Sequence, residues 1–233
     1  MEKMIYALWK HESESVSDFK DRLLGTVSET LVTLGVRKLL VSVVDQDVAP
    51  AESLRMITTR PPVQGIVSLW VDTANDRSPI TSVLKGAASH IAGYLVTESM
   101  PIVNTEHAVS DGERVPGMNS VVFLKKPPRL TYEYWLEAWL DSHTKIAIDT
   151  QSTFGYKQNV IVRPLTDAAP PYDAIVEENF PEAAMTDNQA FYNATGDEEK
   201  CRKNEQAMME SCVRFIDFDK LDRIIMSEYI IKS

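Results

Sequence analysis

Three side chains in the second half of the 233-residue chain have the chemistry needed for acid–base catalysis: His143, Tyr156 and Asp173. Trp135 and Trp139 precede His143 by eight and four residues, so the three share one face of a predicted helix that packs on a sheet. An imidazole in that place can act as a general acid or base near neutral pH. The alternative is a structural histidine that hydrogen-bonds backbone groups at a helix end, where the helix dipole favours it. Both interpretations stay open at this point.

The strand that contains Tyr156 supplies the second candidate. Tyr156 and Gln158 alternate onto one face of this strand, and Asn159 takes the other face. A phenol near an imidazole could polarise a carbonyl group or stabilise an enolate. The alternative is a tyrosine that fills the core and keeps its hydroxyl group at the rim.

Two carboxylates, Asp173 and Glu177, lie four residues apart and share a face of a further predicted strand. A carboxylate that points into an apolar cavity has a raised pKa and can act as a base. Alternatively, Asp173 pairs with the His143 ring and orients it, and the two roles are compatible.

The positions of the other three histidines do not indicate a metal site. His90 is predicted on a helix and His11 and His107 in loops, and none has a second His or Cys at ligand spacing. The chain also lacks a glycine-rich phosphate loop, a Cys-x-x-Cys pair and a nucleophile elbow. We therefore expect no metal, no nucleotide or other cofactor, and no serine-hydrolase chemistry.

Charge and cysteine content narrow the class of protein. The 24 Lys and Arg residues against 34 Asp and Glu residues give a formal net charge of -10, which disfavours nucleic acid and anionic membrane surfaces as partners. Cys201 and Cys212 are typical of free thiols in a reducing compartment. The sequence shows no signal-peptide pattern and no apolar run of about 18 residues. A cytoplasmic protein without a membrane segment is the expectation.

Hydrophobic periodicity predicts the element order β-α-β-β-α-β twice. Ser15 fits the N-cap of the first helix, and Gly35 fits its C-terminal cap. At an offset of 116 residues, the strand at residues 5–10 aligns with residues 121–126, and Ser15 aligns with Thr131. We interpret this as an internal repeat. Its parts are an N-terminal repeat over residues 1–104, a linker over residues 105–118 and a C-terminal repeat over residues 119–233.

The β-α-β-β-α-β unit is the ferredoxin-like motif, an antiparallel sheet with helices on one face. The uncovered sheet faces must be buried, and two copies on one chain can bury them against each other. The predicted fold is therefore α+β: two ferredoxin-like repeats whose antiparallel sheets pack as a pseudo-dimeric α+β barrel. A cavity between the two sheets is the expected place for a small ligand.

A pattern of aromatic and polar residues runs through the second half. It comprises Leu130-Thr131, Glu133, Trp135, Trp139 and His143, then Gly155-Tyr156-Lys157-Gln158-Asn159, Tyr172-Asp173-Ala174-Ile175-Val176-Glu177 and Phe215-Ile216-Asp217. In these segments the chain resembles the EthD-like family of the dimeric α+β barrel superfamily. The resemblance covers the C-terminal half nearly end to end, whereas the N-terminal half matches mainly in topology. One departure follows His143, where Thr144-Lys145 replace the family's small residue and proline.

The resemblance implies a cofactor-free enzyme that acts on a small aromatic or polyketide-like carbonyl substrate in a catabolic or secondary pathway. His143 would be the general acid or base in a barrel pocket, with Tyr156 or Asp173 assisting. The ligand, a small apolar or aromatic molecule, would contact Trp135, Trp139, Gln158 and Glu177.

Two alternative functions stay open: a non-catalytic small-molecule binding or carrier protein of a degradation pathway, and a haem-binding protein that uses His143. Because members of the superfamily commonly associate, we also expect a homodimer. Val27 occupies the place of His143 in the first half, so the functional pocket is expected in the C-terminal half alone.

Overall fold

The computed structural model describes residues 1–233, an α+β fold in which eight strands form a closed barrel. The strands are β1 (Glu2–Trp9), β2 (Lys38–Val43), β3 (Gly65–Val71), β4 (His90–Ile102), β5 (Met118–Leu124), β6 (Gly155–Pro164), β7 (Ala174–Phe180) and β8 (Asp222–Lys232). The α-helices are α1 (Val16–Arg22), α2 (Ser28–Thr33), α3 (Ser78–Ala87), α4 (Tyr132–Leu136), α5 (Thr144–Thr150), α6 (Asn188–Phe191) and α7 (Glu198–Phe215). No helix of the chain is long and apolar enough to cross a bilayer.

The barrel strands are all antiparallel to their neighbours, in the order β1-β3-β2-β8-β5-β7-β6-β4. The first four strands therefore lie in the order β4-β1-β3-β2, and the last four in the order β8-β5-β7-β6. The halves join through the pairs β2–β8 and β4–β6. The predicted α+β barrel of antiparallel strands is confirmed, and its two sheets are hydrogen-bonded to each other along both edges.

The first helices of the two halves begin in the same way. The backbone N–H of Asp18 donates to Ser15 Oγ at 3.0 Å, and that of Tyr134 donates to Thr131 Oγ1 at 3.2 Å. These are the N-cap bonds that the sequence predicts. Gly35 follows the first helix with a φ of 85°, the left-handed conformation expected of a C-terminal glycine cap.

Both helices then widen into a π-helical segment, Leu23–Val27 between α1 and α2 and Glu137–His143 between α4 and α5. Such segments recur at functional positions in proteins. Hydrophobic periodicity does not reveal them, because they preserve the apolar face of the helix.

The barrel interior is filled by side chains in two zones. One zone is apolar and includes Ile5, Trp9, Tyr94, Phe123, Ile175 and Met226. The other is charged: Lys3 pairs with Glu98 at 2.5 Å and with Glu177 at 3.0 Å, and Lys157 pairs with Glu228. The interior of an eight-stranded barrel holds its own side chains or one small ligand. The ligand cavity expected between the two sheets stays a prediction, and the apolar cavity described below lies outside the barrel.

Helices cover the outer face of the barrel in both halves. The first half packs α1–α3 on its strands through an apolar core that includes Phe19, Leu23, Val27, Leu31 and Leu84. The second half packs α4, α5 and α7 on its strands through Trp135, Trp139, Met208 and Phe215.

His90 begins β4, so its predicted place on a helix is wrong. Helix α3 ends at Ala87, and Ala88 is already extended, with a φ of -148° and a ψ of 153°. Ser89 N–H then donates to the carbonyl oxygen of Trp9 at 2.8 Å. The chain therefore enters the sheet before His90, whose ring lies 4.8 Å from that of Trp9.

Candidate functional site

An apolar cavity of about 170 Å³ lies on the outer face of the barrel in the second half, between the strands and their helical cover. Fifteen of its 19 lining residues are hydrophobic. The walls include Val122, Leu124, Trp139, Val176, Met208 and Phe215. We call this space the C-terminal cavity. An apolar cavity of about 150 Å³ admits benzene, so this one is large enough for a single-ring molecule.

The C-terminal cavity contains a carboxyl group, that of Glu178 on β7. Glu178 is directly opposite Tyr156 on β6 and Ser120 on β5. The residue is 9% exposed, and its side chain is in no hydrogen bond or ion pair of the structure. Burial raises the pKa of Glu178 to about 7, with the nearby Arg223 guanidinium opposing that shift. A carboxyl group in this state can accept or donate a proton at neutral pH.

Arg223, on β8, also lines the cavity. Its Nε donates to Ser120 Oγ at 3.0 Å, and its guanidinium carbon lies 5.2 Å from the centre of the Phe191 ring. Its backbone exchanges two hydrogen bonds with Met56, at 3.0 and 2.7 Å, so the N-terminal half contributes one wall residue. Burial lowers the pKa of Arg223, and the group stays cationic at neutral pH.

Tyr156 lines the same cavity and is held by Gln158 from its own strand. The Gln158 Nε2 donates to Tyr156 Oη at 3.1 Å and to Thr144 Oγ1 at 2.7 Å. Burial and then the Glu178 carboxyl group raise the pKa of the Tyr156 phenol. Tyr156 is therefore an uncharged hydrogen-bonding group beside Glu178.

His143 ends the second π-helical segment and reaches the cavity from the helical cover. Its side chain is buried, its Nδ1 lies 2.9 Å from Ser211 Oγ, and its ring centre lies 4.7 Å from that of Phe215. Burial, and then the positive charge of Arg214, lower the pKa of His143 to about 4. At neutral pH the imidazole is uncharged, so it can exchange hydrogen bonds and supplies no positive charge.

The structure brings His143, Tyr156 and Trp139 together around the cavity. Trp135 lies behind Trp139, with ring centres 5.3 Å apart, and its indole Nε1 donates to Phe215 O at 3.1 Å. Gln158 stands behind Tyr156 and holds its hydroxyl group.

Two predicted carboxylates lie elsewhere. Asp173 precedes β7, lies 3.3 Å from Lys125 Nζ and accepts the backbone N–H of Lys126 at 2.7 Å, so it does not pair with His143. Glu177 points into the barrel, where it pairs with Lys3 and accepts a hydrogen bond from Asn159. Neither is among the cavity residues. Side chains alternate along a strand, and these two positions share the face that points into the barrel rather than the face that meets the helices.

Sequence reasoning missed Glu178 and Arg223. The signal for Glu178 was present: two acidic residues in succession on a strand must point to opposite faces, so one of them faces the helices. Arg223 carries no such signal, because the apolar run that predicts the last strand, Ile224 to Ile231, begins one residue after it.

No protein family model matches the chain, and no curated protein matches its sequence. Among solved structures, an anthrone oxidase-like protein is similar, with a TM-score of 0.55, 8% sequence identity and coverage of 98% of this chain and 91% of that chain. A chlorite dismutase-like protein has a TM-score of 0.49 and 11% identity, over 100% of this chain and 96% of that chain. The likeness to the first shows that this chain has the same fold, and at such identity it concerns the fold alone.

Proposed function

We propose that the protein is a cofactor-free enzyme that moves a proton at a carbon next to the carbonyl group of a small apolar molecule. The observation that carries this proposal is the carboxyl group of Glu178, which is buried, unpaired and directed at an apolar cavity. Structural carboxylates at this depth are normally paired. An unpaired one with a pKa of about 7 is suited to act as a general base.

The neighbouring groups have complementary roles in this proposal. Removal of a proton from carbon leaves negative charge on the carbonyl oxygen, and Arg223 supplies the positive charge that stabilises it. Tyr156 and the uncharged His143 donate or accept hydrogen bonds to fix the substrate. Glu178 takes the role of base that the sequence pattern had suggested for Asp173.

Exchange of carbon-bound hydrogen in D₂O tests the proposal even while the product is unidentified. NMR would follow loss of the α-proton signals of single-ring ketones and 1,3-dicarbonyl compounds in the presence of the protein. We expect Glu178→Gln to slow exchange by about 10²-fold or more, the range for loss of a general base. Glu137→Gln, an exposed change on the helical cover, should leave the rate unchanged.

The alternatives give different results in the same experiments. A binding or carrier protein would bind these compounds without accelerating exchange. A haem-binding protein would show an intense absorbance near the blue end of the visible spectrum once loaded with haem, and His143→Gln would change it. The cavity volume favours a single-ring ligand over a macrocycle.

We also infer that the chain consists of two ferredoxin-like repeats, residues 1–104 and 119–233, joined by a linker at residues 105–118. The equal strand order in the halves and the equivalent N-caps at Ser15 and Thr131 support this. The resemblance of the second repeat to the EthD-like family agrees with the position of its His143 and Tyr156 in one cavity.

A further inference from the structure

Arg223 has an unsatisfied guanidinium group at the edge of the C-terminal cavity. Only its Nε has an acceptor, the hydroxyl oxygen of Ser120 at 3.0 Å. Its two terminal nitrogens have no acceptor in the structure, and no carboxylate oxygen lies within 4.0 Å of the group. A buried or half-buried arginine normally directs this fork at a carboxylate or another anionic oxygen group.

Glu178 comes near Arg223 without forming an ion pair. The two residues lie on β7 and β8 with β5 between them, and Ser120 of β5 is both the partner of Glu178 in the sheet and the acceptor for Arg223 Nε. Arg223 is close enough to lower the pKa of Glu178. The space between the carboxyl group and the guanidinium group faces the cavity that both residues line.

We infer that the C-terminal cavity selects single-ring apolar molecules that carry one anionic oxygen group, which Arg223 binds while Glu178 holds a proton. This inference rests on the proposed function, since an enolate on Arg223 beside a protonated Glu178 is the state that proton removal from carbon leaves in the same cavity, and a carboxylate resembles that state. The shared chemistry is an anionic oxygen on a small ring, either a carboxylate or the enolate of a cyclic 1,3-dicarbonyl compound.

The charge balance explains why Glu178 would hold a proton in this complex. One guanidinium would face two anions if both the ligand and Glu178 were ionised, and like charges at short range oppose each other's ionisation. The other titratable groups that face this space supply no further cation. Tyr156 faces it from β6, Tyr192 follows α6, and Cys212 lies on α7. Burial lowers the pKa of His143, which leaves its ring uncharged at neutral pH. Binding of an anionic ligand should therefore be accompanied by proton uptake.

Titration calorimetry with 4-methylbenzoate and 4-methylbenzamide tests the anion preference, because the two probes share shape and differ in charge. We expect the wild type to bind the benzoate about tenfold or more tightly than the amide, as for one hydrogen-bonded charge pair. Arg223→Gln should abolish this preference while still binding the amide. Arg223→Lys should retain part of it, and Arg202→Gln, an exposed change on α7, should retain all of it. 1,3-Cyclohexanedione against cyclohexanone distinguishes an enolate from a carboxylate as the preferred anion.

Repeating the benzoate titration in buffers of different ionisation enthalpy counts the protons taken up. Uptake by the wild type that is absent in Glu178→Gln supports the inference. Equal affinity of the wild type for both probes of each pair would overturn it, as would an anion preference that survives in Arg223→Gln. The exchange assay in D₂O tests the general base separately. Glu178 can therefore still be the base if the cavity shows no preference for anions. Amide binding by each variant shows that its cavity is folded.

Discussion

Tyr156 and Glu178 are direct partners across β6 and β7, and both side chains leave the barrel for the C-terminal cavity. Burial raises the pKa of each group, to about 7 for Glu178, and the carboxyl group further raises that of the phenol. This pair of opposite residues therefore places a phenol and a carboxyl group side by side in an apolar environment. The arrangement has consequences for stability as well as for catalysis.

We predict that Glu178→Gln stabilises the protein at alkaline pH. A raised native pKa means that the folded protein binds more protons than the unfolded chain between pH values of about 4.5 and 7, so stability falls as pH rises through this window. The variant lacks this loss and should be more stable by up to about 3 kcal/mol at about pH 8 and equal to the wild type at about pH 4. Urea unfolding at both pH values measures the difference. An equal difference at the two pH values would argue against a buried, unpaired carboxyl group.

The contribution of His143 to the pH dependence of stability should have the opposite sign to that of Glu178. Its native pKa of about 4 lies below that of an unfolded histidine at 6.5, so the folded protein binds fewer protons between these values and loses stability as pH falls through them. The loss should reach up to about 3 kcal/mol by about pH 4. NMR titration of the ring C–H resonance, assigned by its absence in His143→Gln, gives the midpoint directly. A midpoint near 6.5 would show that the ring is hydrated in solution.

The substitution His143→Ala tests how much the ring contributes to stability and how much to ligand binding. The change leaves the Ser211 hydroxyl, now 2.9 Å from the ring, without a partner and should cost about 1–3 kcal/mol in unfolding free energy. His90→Ala is the comparison, because His90 lies on the first-half strand β4 and is not among the residues that line the cavity. Loss of ligand binding in both variants would contradict a site confined to the second half.

Local sequence signals predicted most of the fold, because they depend on residues near each other in the chain. The caps at Ser15, Thr131 and Gly35 are fixed by hydrogen bonds or backbone torsion within one turn. The site was only partly predictable. His143 and Tyr156 were found from patterns, whereas the choice between Glu177 and Glu178 depends on which strand face meets the helices. That assignment comes from long-range pairing of β7 with β5 and β6, which one sequence does not reveal.

Gln158 should act as a positioning residue for Tyr156. Gln158→Leu removes the donor of two buried bonds, to Tyr156 Oη and Thr144 Oγ1. We expect a stability loss of about 1–2 kcal/mol and weaker ligand binding. Thr144→Val removes one of the two acceptors and leaves the bond to Tyr156, so its effect on binding should be smaller. If the losses of Gln158→Leu and Thr144→Val simply add in the double variant, the bond between these two residues contributes nothing to stability.

The charged zone inside the barrel provides the last prediction. Lys157 pairs with Glu228 and lies 4.0 Å from Glu177, and Asn179 Nδ2 donates to Glu228 at 2.9 Å. Burial raises the pKa of Glu177, but Lys3 and Lys157 outweigh it and hold that pKa near 2. Lys157→Met leaves three carboxylates with one lysine and should cost about 3–5 kcal/mol, the range for breaking a buried ion pair.

Lys157→Met combined with Glu228→Gln removes one charge of each sign and should recover most of that loss, because an uncharged pair leaves no uncompensated charge behind. The sign of the pH effect is fixed by Glu177. Its lowered pKa gives the wild type stability that is present above about pH 4.5 and is lost as pH falls toward 2. The deficit of Lys157→Met should therefore shrink in acid, where the remaining carboxylates can take up protons. Denaturant unfolding of the two variants at about pH 7 and about pH 4 tests this. A single variant as stable as the double one would mean that water, rather than Lys157, compensates the buried carboxylates.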